Sequence, residues 1–128
     1  MQPRLFFLMA LLLIGFSAAG QPKIKFEKKV IKFDKVKAGE PLSFDFFYTN
    51  TGSEPLILTN IKVSCTCTTF DYPKEPIPPG ETAVIKVYFD TKGKYGYQDR
   101  VLEVYTKAHE APPKIRFRGV VDNKPDRQ

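Results

Sequence analysis

After Gln21 the apolar residues recur at every second position, and nowhere does a three-four repeat persist for ten residues. Period two is the signature of strands with one buried and one wet face, so the chain is read as all-β. The clearest strand runs from Leu42 to Thr49. It sets Leu42, Phe44, Phe46 and Tyr48 on one face and Ser43, Asp45, Phe47 and Thr49 on the other.

The same alternation marks Ile24 to Glu27, Val30 to Phe33, Thr82 to Asp90, Arg100 to Thr106 and Lys114 to Val121. Turns lie between them. Lys37-Ala38-Gly39-Glu40 reverses the chain once, and Asn50-Thr51-Gly52-Ser53 reverses it again, with Gly52 free to take positive φ and Asn50 able to close an Asx turn. Leu56 and Leu58 share one parity, whereas Ile61, Val63, Cys65 and Cys67 share the other. A parity change inside one apolar run predicts a bulge or a crossing near Thr59-Asn60, with both cysteines continuing the buried face. Thr69 to Gly80 holds Pro73, Pro76, Pro78 and Pro79 and is read as the connection between sheets. Thr91 to Gly96 and Lys107 to Pro113 are loops, and the residues from about Asp122 form a polar tail.

Seven or eight short antiparallel strands in one domain predict an immunoglobulin-like β-sandwich, with a closed barrel as the alternative. Phe26, Phe33, Phe44, Phe46, Phe47, Phe70, Phe89 and Phe117 are expected to supply the core of this domain, spanning residues 21–128. A chain of this size buries around two-thirds of its unfolded surface in one core.

Residues 1–20 have a different character. Arg4 precedes an apolar run from Leu5 to Phe16, and Ser17-Ala18-Ala19-Gly20 follows. A basic start, a short apolar stretch and small residues make a secretory signal peptide cleaved before Gln21. The run falls short of the roughly 20 residues of a spanning helix. No cysteine lies near the cleavage point, so no lipid anchor is expected. Export implies a periplasmic or extracellular protein, and it argues against nucleic acid as the partner of a chain with formal net charge +6. The cations are interleaved with apolar residues, as in Ile115-Arg116-Phe117-Arg118, which is the pattern of a solvated strand face.

Several of these features together resemble a known bacterial family. They are Phe33-Asp34-Lys35-Val36 with Gly39-Glu40, Asn50 before Gly52, the Cys-x-Cys after a valine-bearing strand, Ile77-Pro78-Pro79-Gly80, Gly96, and Ile115 to Val121 around Gly119. The family is the one catalogued as domain of unknown function 1573. The resemblance covers nearly all of the chain after residue 20 and implies an immunoglobulin-like fold and export from Gram-negative cells, with no established reaction. Two departures stand out. The family usually has glycine between the cysteines, where this chain has Thr66, and often a Ser-Asn pair where this chain has Thr106-Lys107. A β-branched Thr66 resists positive φ, which favours an ordinary strand through the motif.

Cys65 and Cys67 are the only cysteines and the only candidate site residues. In an extended strand their Cα atoms would stand about 6.6 Å apart, whereas a disulfide needs Cβ atoms near roughly 3.5–4.5 Å. A bond between them requires the chain to bend and would be an oxidising one. The leading reading makes both thiols small apolar core residues. Thiol redox chemistry, soft-metal binding and an intermolecular bridge are the alternatives, with Cu(I) a better fit than zinc because only His109 could join the pair. His109 itself reads as a solvated loop residue, and Asp71, Glu75 and Glu81 as charges flanking a proline-rich loop. No catalytic triad, carboxylate pair or phosphate loop is recognisable. The expected function is therefore a non-enzymatic interaction module without a cofactor, binding a protein or a cell-envelope component.

Overall fold

Each alternating segment becomes a strand, and the parity of its apolar residues decides which face of a sheet it covers. The computed structural model describes residues 20–108 and 111–122. The segment 1–19 read as a signal peptide, His109 and the residues from Asn123 onward lie outside the described residues. Nine strands follow in order: β1 (Ile24–Phe26), β2 (Val30–Lys32), β3 (Val36–Lys37), β4 (Pro41–Asn50), β5 (Leu58–Val63), β6 (Thr68–Asp71), β7 (Thr82–Asp90), β8 (Gly96–Thr106) and β9 (Lys114–Asp122). No helix long and apolar enough to cross a membrane occurs among the described residues.

The strands form two open sheets rather than a closed barrel. One sheet has the order β1-β4-β7-β6, and the other β2-β9-β8-β5 with β3 also on β9. Counting β2 and β3 as one interrupted edge run gives eight strands. This run is parallel to β9, with Ile31 beside Phe117 and Val36 beside Val121. The other pairings are antiparallel. The cause is local: β1 pairs with β4 in the first sheet, and the chain then crosses to the second sheet without reversing.

The inward faces meet in one core that includes Phe46, Tyr48, Ile85, Phe89, Leu102, Val104, Ile115 and Phe117, all fully buried. Phe44 stacks on Phe117 across the sheets at 4.8 Å between centroids, and Phe89 meets Phe117 at 5.1 Å. Burial of each large apolar side chain contributes about 1.5–3 kcal/mol, so this cluster dominates the cohesion of the sandwich. Gly119 makes room for it. A Cβ there would collide with the Phe33 ring, which packs near Phe44 and Phe89.

The parity change falls where expected. Pairing of β5 with β8 shifts register between Leu58 and Asn60, and the Asn60 side-chain oxygen accepts the Ile61 N–H at 2.9 Å. Three other expectations need correction. Thr69 to Gly80 is not the connection between sheets, because Thr68–Asp71 already forms β6 in the first sheet. The crossing is made earlier, at Ser64–Cys67. The proline-rich stretch instead joins β6 to β7 within one sheet, with Ile77 bridged to Leu56 by bonds of 2.9 and 2.8 Å. Second, β8 begins at Gly96, four residues before the alternation of apolar residues becomes visible. Gln98 and Arg100 occupy its inward positions there, and Gln98 is buried. Third, Asp122 belongs to β9 rather than to a tail.

Gly52 also plays a different part from the one its turn suggested. Positive φ occurs at Gly80 (φ 82) but not at Gly52, where a Cβ would strike the backbone of Gln21 and Lys23. Gly52→Val and Gly80→Val should each lower the melting temperature by several degrees, the effect of a loss of about 2 kcal/mol. Lys25→Ala removes an exposed charge. Arg116→Ala removes a half-exposed ion pair to Asp99 at 3.2 Å, a change of under about 1 kcal/mol. Equal melting temperatures across the four variants would contradict these assignments.

Tyr48 provides a test by pH. Its ring is fully buried and its hydroxyl has no hydrogen-bond partner among the described residues, and burial pushes the phenol up to about 12. The unfolded phenol ionises near about 10, so the unfolded chain loses this proton first. The stabilisation is therefore complete below about pH 10 and is lost as pH rises towards about 12. Tyr48→Phe should melt no lower than the wild type at neutral pH and should show a shallower fall of melting temperature between these limits. A steeper alkaline fall in the variant would refute the assignment.

Candidate functional site

The site is built where the first half of the chain passes from one sheet to the other. β5 is held by β8 as far as Val63, opposite Leu102. β6 is held by β7 from Thr68, opposite Phe89. Only Ser64, Cys65, Thr66 and Cys67 lie between these two ladders, and they form a turn. The turn is closed by the Thr68 N–H donating to the Cys65 carbonyl at 3.2 Å, and the Asp90 N–H donates to the Cys67 carbonyl at 2.9 Å.

This bend brings the two cysteines together. Their Cα atoms are 5.2 Å apart and the sulfurs form a disulfide. The reading of two unbonded thiols continuing the strand face is therefore corrected, because the strand ends at Val63 and leaves both residues outside the ladder. Thr66 does not hold the motif in a strand, as its β-branch suggested. No residue other than glycine has positive φ among those described, so the turn uses backbone that threonine adopts without penalty. Both cysteines are half-buried, and Cys67 packs against the core while Thr66 is exposed.

The two sulfurs differ in their surroundings. The Cys67 N–H donates to Cys65 Sγ at 3.2 Å. Cys67 Sγ lies 3.8 Å from the Thr68 hydroxyl. The thiolate is the metal ligand and the nucleophile of cysteine chemistry, so neither role is open to the pair until the bond is reduced. Among the described residues no three His, Cys, Asp or Glu side chains gather as a metal site. Asp71, Glu75 and Glu81 are each exposed.

Basic groups surround the crossing. Outside it, on the face of the second sheet, a concavity of about 460 Å³ is lined by Lys62, Val63, Ser64, Val101, Glu103, Lys114 and Arg116. Glu103 accepts a hydrogen bond from the Tyr105 hydroxyl, which holds that phenol above its usual range. Lys62 Nζ stands 4.9 Å from the Tyr105 ring centroid. On the inner side, Arg100 follows the inward position of Leu102 at the same end of the sandwich. Its guanidinium donates to Gln98 at 2.7 Å and to the Asp99 carbonyl at 3.1 Å, and it lies 5.7 Å from the Phe89 centroid. Its Nε is buried without a hydrogen-bond partner. Parity with Leu102 in the strand read from Arg100 was the one sign of its inward position, and its charge spoke against it.

A second surface lies on the first sheet. Phe47 and Tyr88 point outward from β4 and β7 and are 43% and 44% exposed. Phe47 borders two concavities. One, of about 400 Å³, includes Lys25, Glu27 and Thr49; the other, of about 350 Å³, includes Lys28, Val30 and Asp45.

Similarity to known proteins extends over the whole sandwich. A protein of unknown function from Porphyromonas gingivalis W83 superposes with a TM-score of 0.69 at 13% identity, over 84% of this chain and 50% of that one. The ASH/PapD-like domain 7 of human CEP192 superposes at 0.63 with 12% identity, over 80% and 87% of the two chains. The Vibrio cholerae VesB protease does so at 0.60 with 18% identity, over 80% of this chain. The chain spans half the length of the Porphyromonas protein and 32% of the protease. At these identities the likeness is one of fold alone. No curated protein matches the sequence. Residues 24–121, the whole run from β1 to the end of the core in β9, match the family described as "Protein of unknown function (DUF1573)", and the chain belongs to that family.

Proposed function

We propose that the protein is an exported, non-enzymatic β-sandwich module that binds a partner protein of the cell envelope through the edge and outer face of its four-stranded sheet. The observation that carries this reading is the incomplete cover of β4. β1 pairs only with Tyr48–Asn50, and one further bond runs from the Glu27 N–H to the Phe47 carbonyl at 2.9 Å. Along Pro41–Phe46 no described strand lies on that side.

An open strand edge accepts an extended segment by main-chain hydrogen bonding, and neighbouring side-chain pockets then select the sequence. Phe47 and Tyr88 supply the apolar contacts, and the concavities beside Phe47 supply the pockets. Exposed aromatic residues beside an unpaired edge are an aggregation hazard unless a partner covers them. The basic, apolar and small-residue order of residues 1–20 supports export. The non-enzymatic part rests on the lack of a recognisable catalytic constellation in the sequence.

The test is a photo-crosslinking residue placed at Asp45 in cells of the source organism. The expected result is a protein adduct of defined mass that disappears when Phe47→Asp is added, and an exported chain that begins at Gln21. An unprocessed chain retained in the cytoplasm, or an adduct indifferent to Phe47→Asp, would overturn the reading.

A further inference from the structure

The Cys65–Cys67 disulfide closes a ring of three residues. In the chain-entropy account a cross-link stabilises more the longer the loop it closes, so a ring this short contributes little. It also sits where cohesion is already provided, since β5 is paired through Val63 and β6 from Thr68. A half-exposed disulfide on a turn between two anchored ladders is poorly placed as a staple. It is well placed to react.

Accessibility singles out Cys65 as the sulfur attacked. Cys67 packs against the core, which hinders approach to its sulfur. The Cys67 N–H is directed at Cys65 Sγ at 3.2 Å, and a donor in that position favours negative charge on the sulfur it faces, which serves Cys65 when it later departs as a thiolate. The approach to the crossing is basic as well. The concavity that reaches Ser64 carries Lys62, Lys114 and Arg116 with Glu103. Arg116 is ion-paired with Asp99, so Lys62 and Lys114 against Glu103 supply the excess, and excess charge of one sign concentrates the opposite sign at a surface.

We propose that the Cys65–Cys67 disulfide is a stoichiometric exchange site that oxidises anionic dithiols, with Cys65 as the sulfur attacked. A substrate thiolate attacks Cys65 Sγ, forming a substrate–Cys65 disulfide and breaking the Cys65–Cys67 bond, and Cys67 leaves as a thiolate that takes up a proton. The second substrate thiolate then attacks the substrate sulfur of the mixed disulfide and expels the Cys65 thiolate, which the Cys67 N–H stabilises. The substrate leaves as a disulfide, two electrons pass to the protein, and the pair becomes a dithiol. The protein's own disulfide is the oxidant, so no other reagent is needed. This chemistry does not depend on the partner-binding surface of the first sheet.

The experiment treats the oxidised full-length chain with mercaptoethanesulfonate or with cysteamine at equal thiolate concentration, traps free thiols with iodoacetamide and reads them by mass. The anionic thiol should react about tenfold faster at low ionic strength, and the preference should vanish in 1 M salt, where screening is short-ranged. Lys62→Gln with Lys114→Gln should abolish the preference without changing the melting temperature. Given the sulfonate's own symmetrical disulfide, whose S–S bond breaks to release one sulfonate thiol, Cys67→Ser should form a stable mixed disulfide on Cys65, and Cys65→Ser should form far less on Cys67. Equal rates for the two thiols would overturn the proposal, as would a disulfide resistant to both. Loss of folding in the Cys65→Ser/Cys67→Ser double variant would equally overturn it, because the bond would then be a structural one.

Discussion

The fully buried side chain of Asn50 is the constraint on which one end of the sandwich depends. Its amide nitrogen donates to the carbonyls of Glu54 at 2.7 Å and Ile77 at 2.9 Å, and its side-chain oxygen accepts the Gly52 N–H at 2.9 Å. Its backbone N–H donates to Glu81 at 3.0 Å, and its carbonyl accepts from Gly80 at 2.7 Å. One residue thereby joins the end of β4, the following turn, the proline-rich loop and the entry to β7. Each of these groups would cost about 1–3 kcal/mol if left buried without a partner. The Ile77 carbonyl also accepts the Leu56 N–H, so both of its lone pairs are used. Prolines at 73, 76, 78 and 79 cannot donate, and Asn50 supplies donors that this loop lacks.

The other end is held differently. Thr91, also fully buried, accepts the Gly39 N–H at 2.9 Å and donates to the Glu40 carbonyl at 2.6 Å. That joins the turn before β4 to the turn after β7. The cysteine crossing lies at this end, beside Asp90, and so does Arg100 with its unpartnered Nε. The polar atoms of the Asn50 side chain are thus all paired, whereas the buried Tyr48 hydroxyl two residues earlier and Arg100 Nε are not.

Much of this was legible in the residues. Alternation placed Phe44, Phe46 and Tyr48 inward and Phe47 outward, since a strand has only two faces and one is dry. The change of parity between Leu58 and Ile61 located the bulge. Periodicity failed where side-chain chemistry departs from polarity. Gln98 is a polar residue turned inward ahead of the apolar alternation, so alternation reveals the strand only from Arg100, although β8 begins at Gly96. Cys65 and Cys67 kept the parity of Ile61 and Val63, but parity reports only residues that remain in a strand. A break in backbone direction at Ser64 left no trace in hydrophobicity. Gly52 and Gly119 were visible as glycines, yet their reason is close approach by Gln21 and Phe33, distant in sequence and therefore hidden.

The crossing also explains how this chain accommodates threonine between its two cysteines. Thr66 is exposed and needs no positive φ, so the turn places little demand on its side chain. The demand falls on the flanking ladders, which fix Val63 and Thr68 independently and leave only four residues to span the sheets. With both ends of the span fixed, the chain must bend there, and the bend brings the Cα atoms of the bonded pair to 5.2 Å. The ladders on both sides are paired independently of the sulfurs, so oxidation and reduction of the pair need no movement of either sheet. Stability resides in the aromatic core and the Asn50 network, and the sulfur chemistry is free of it.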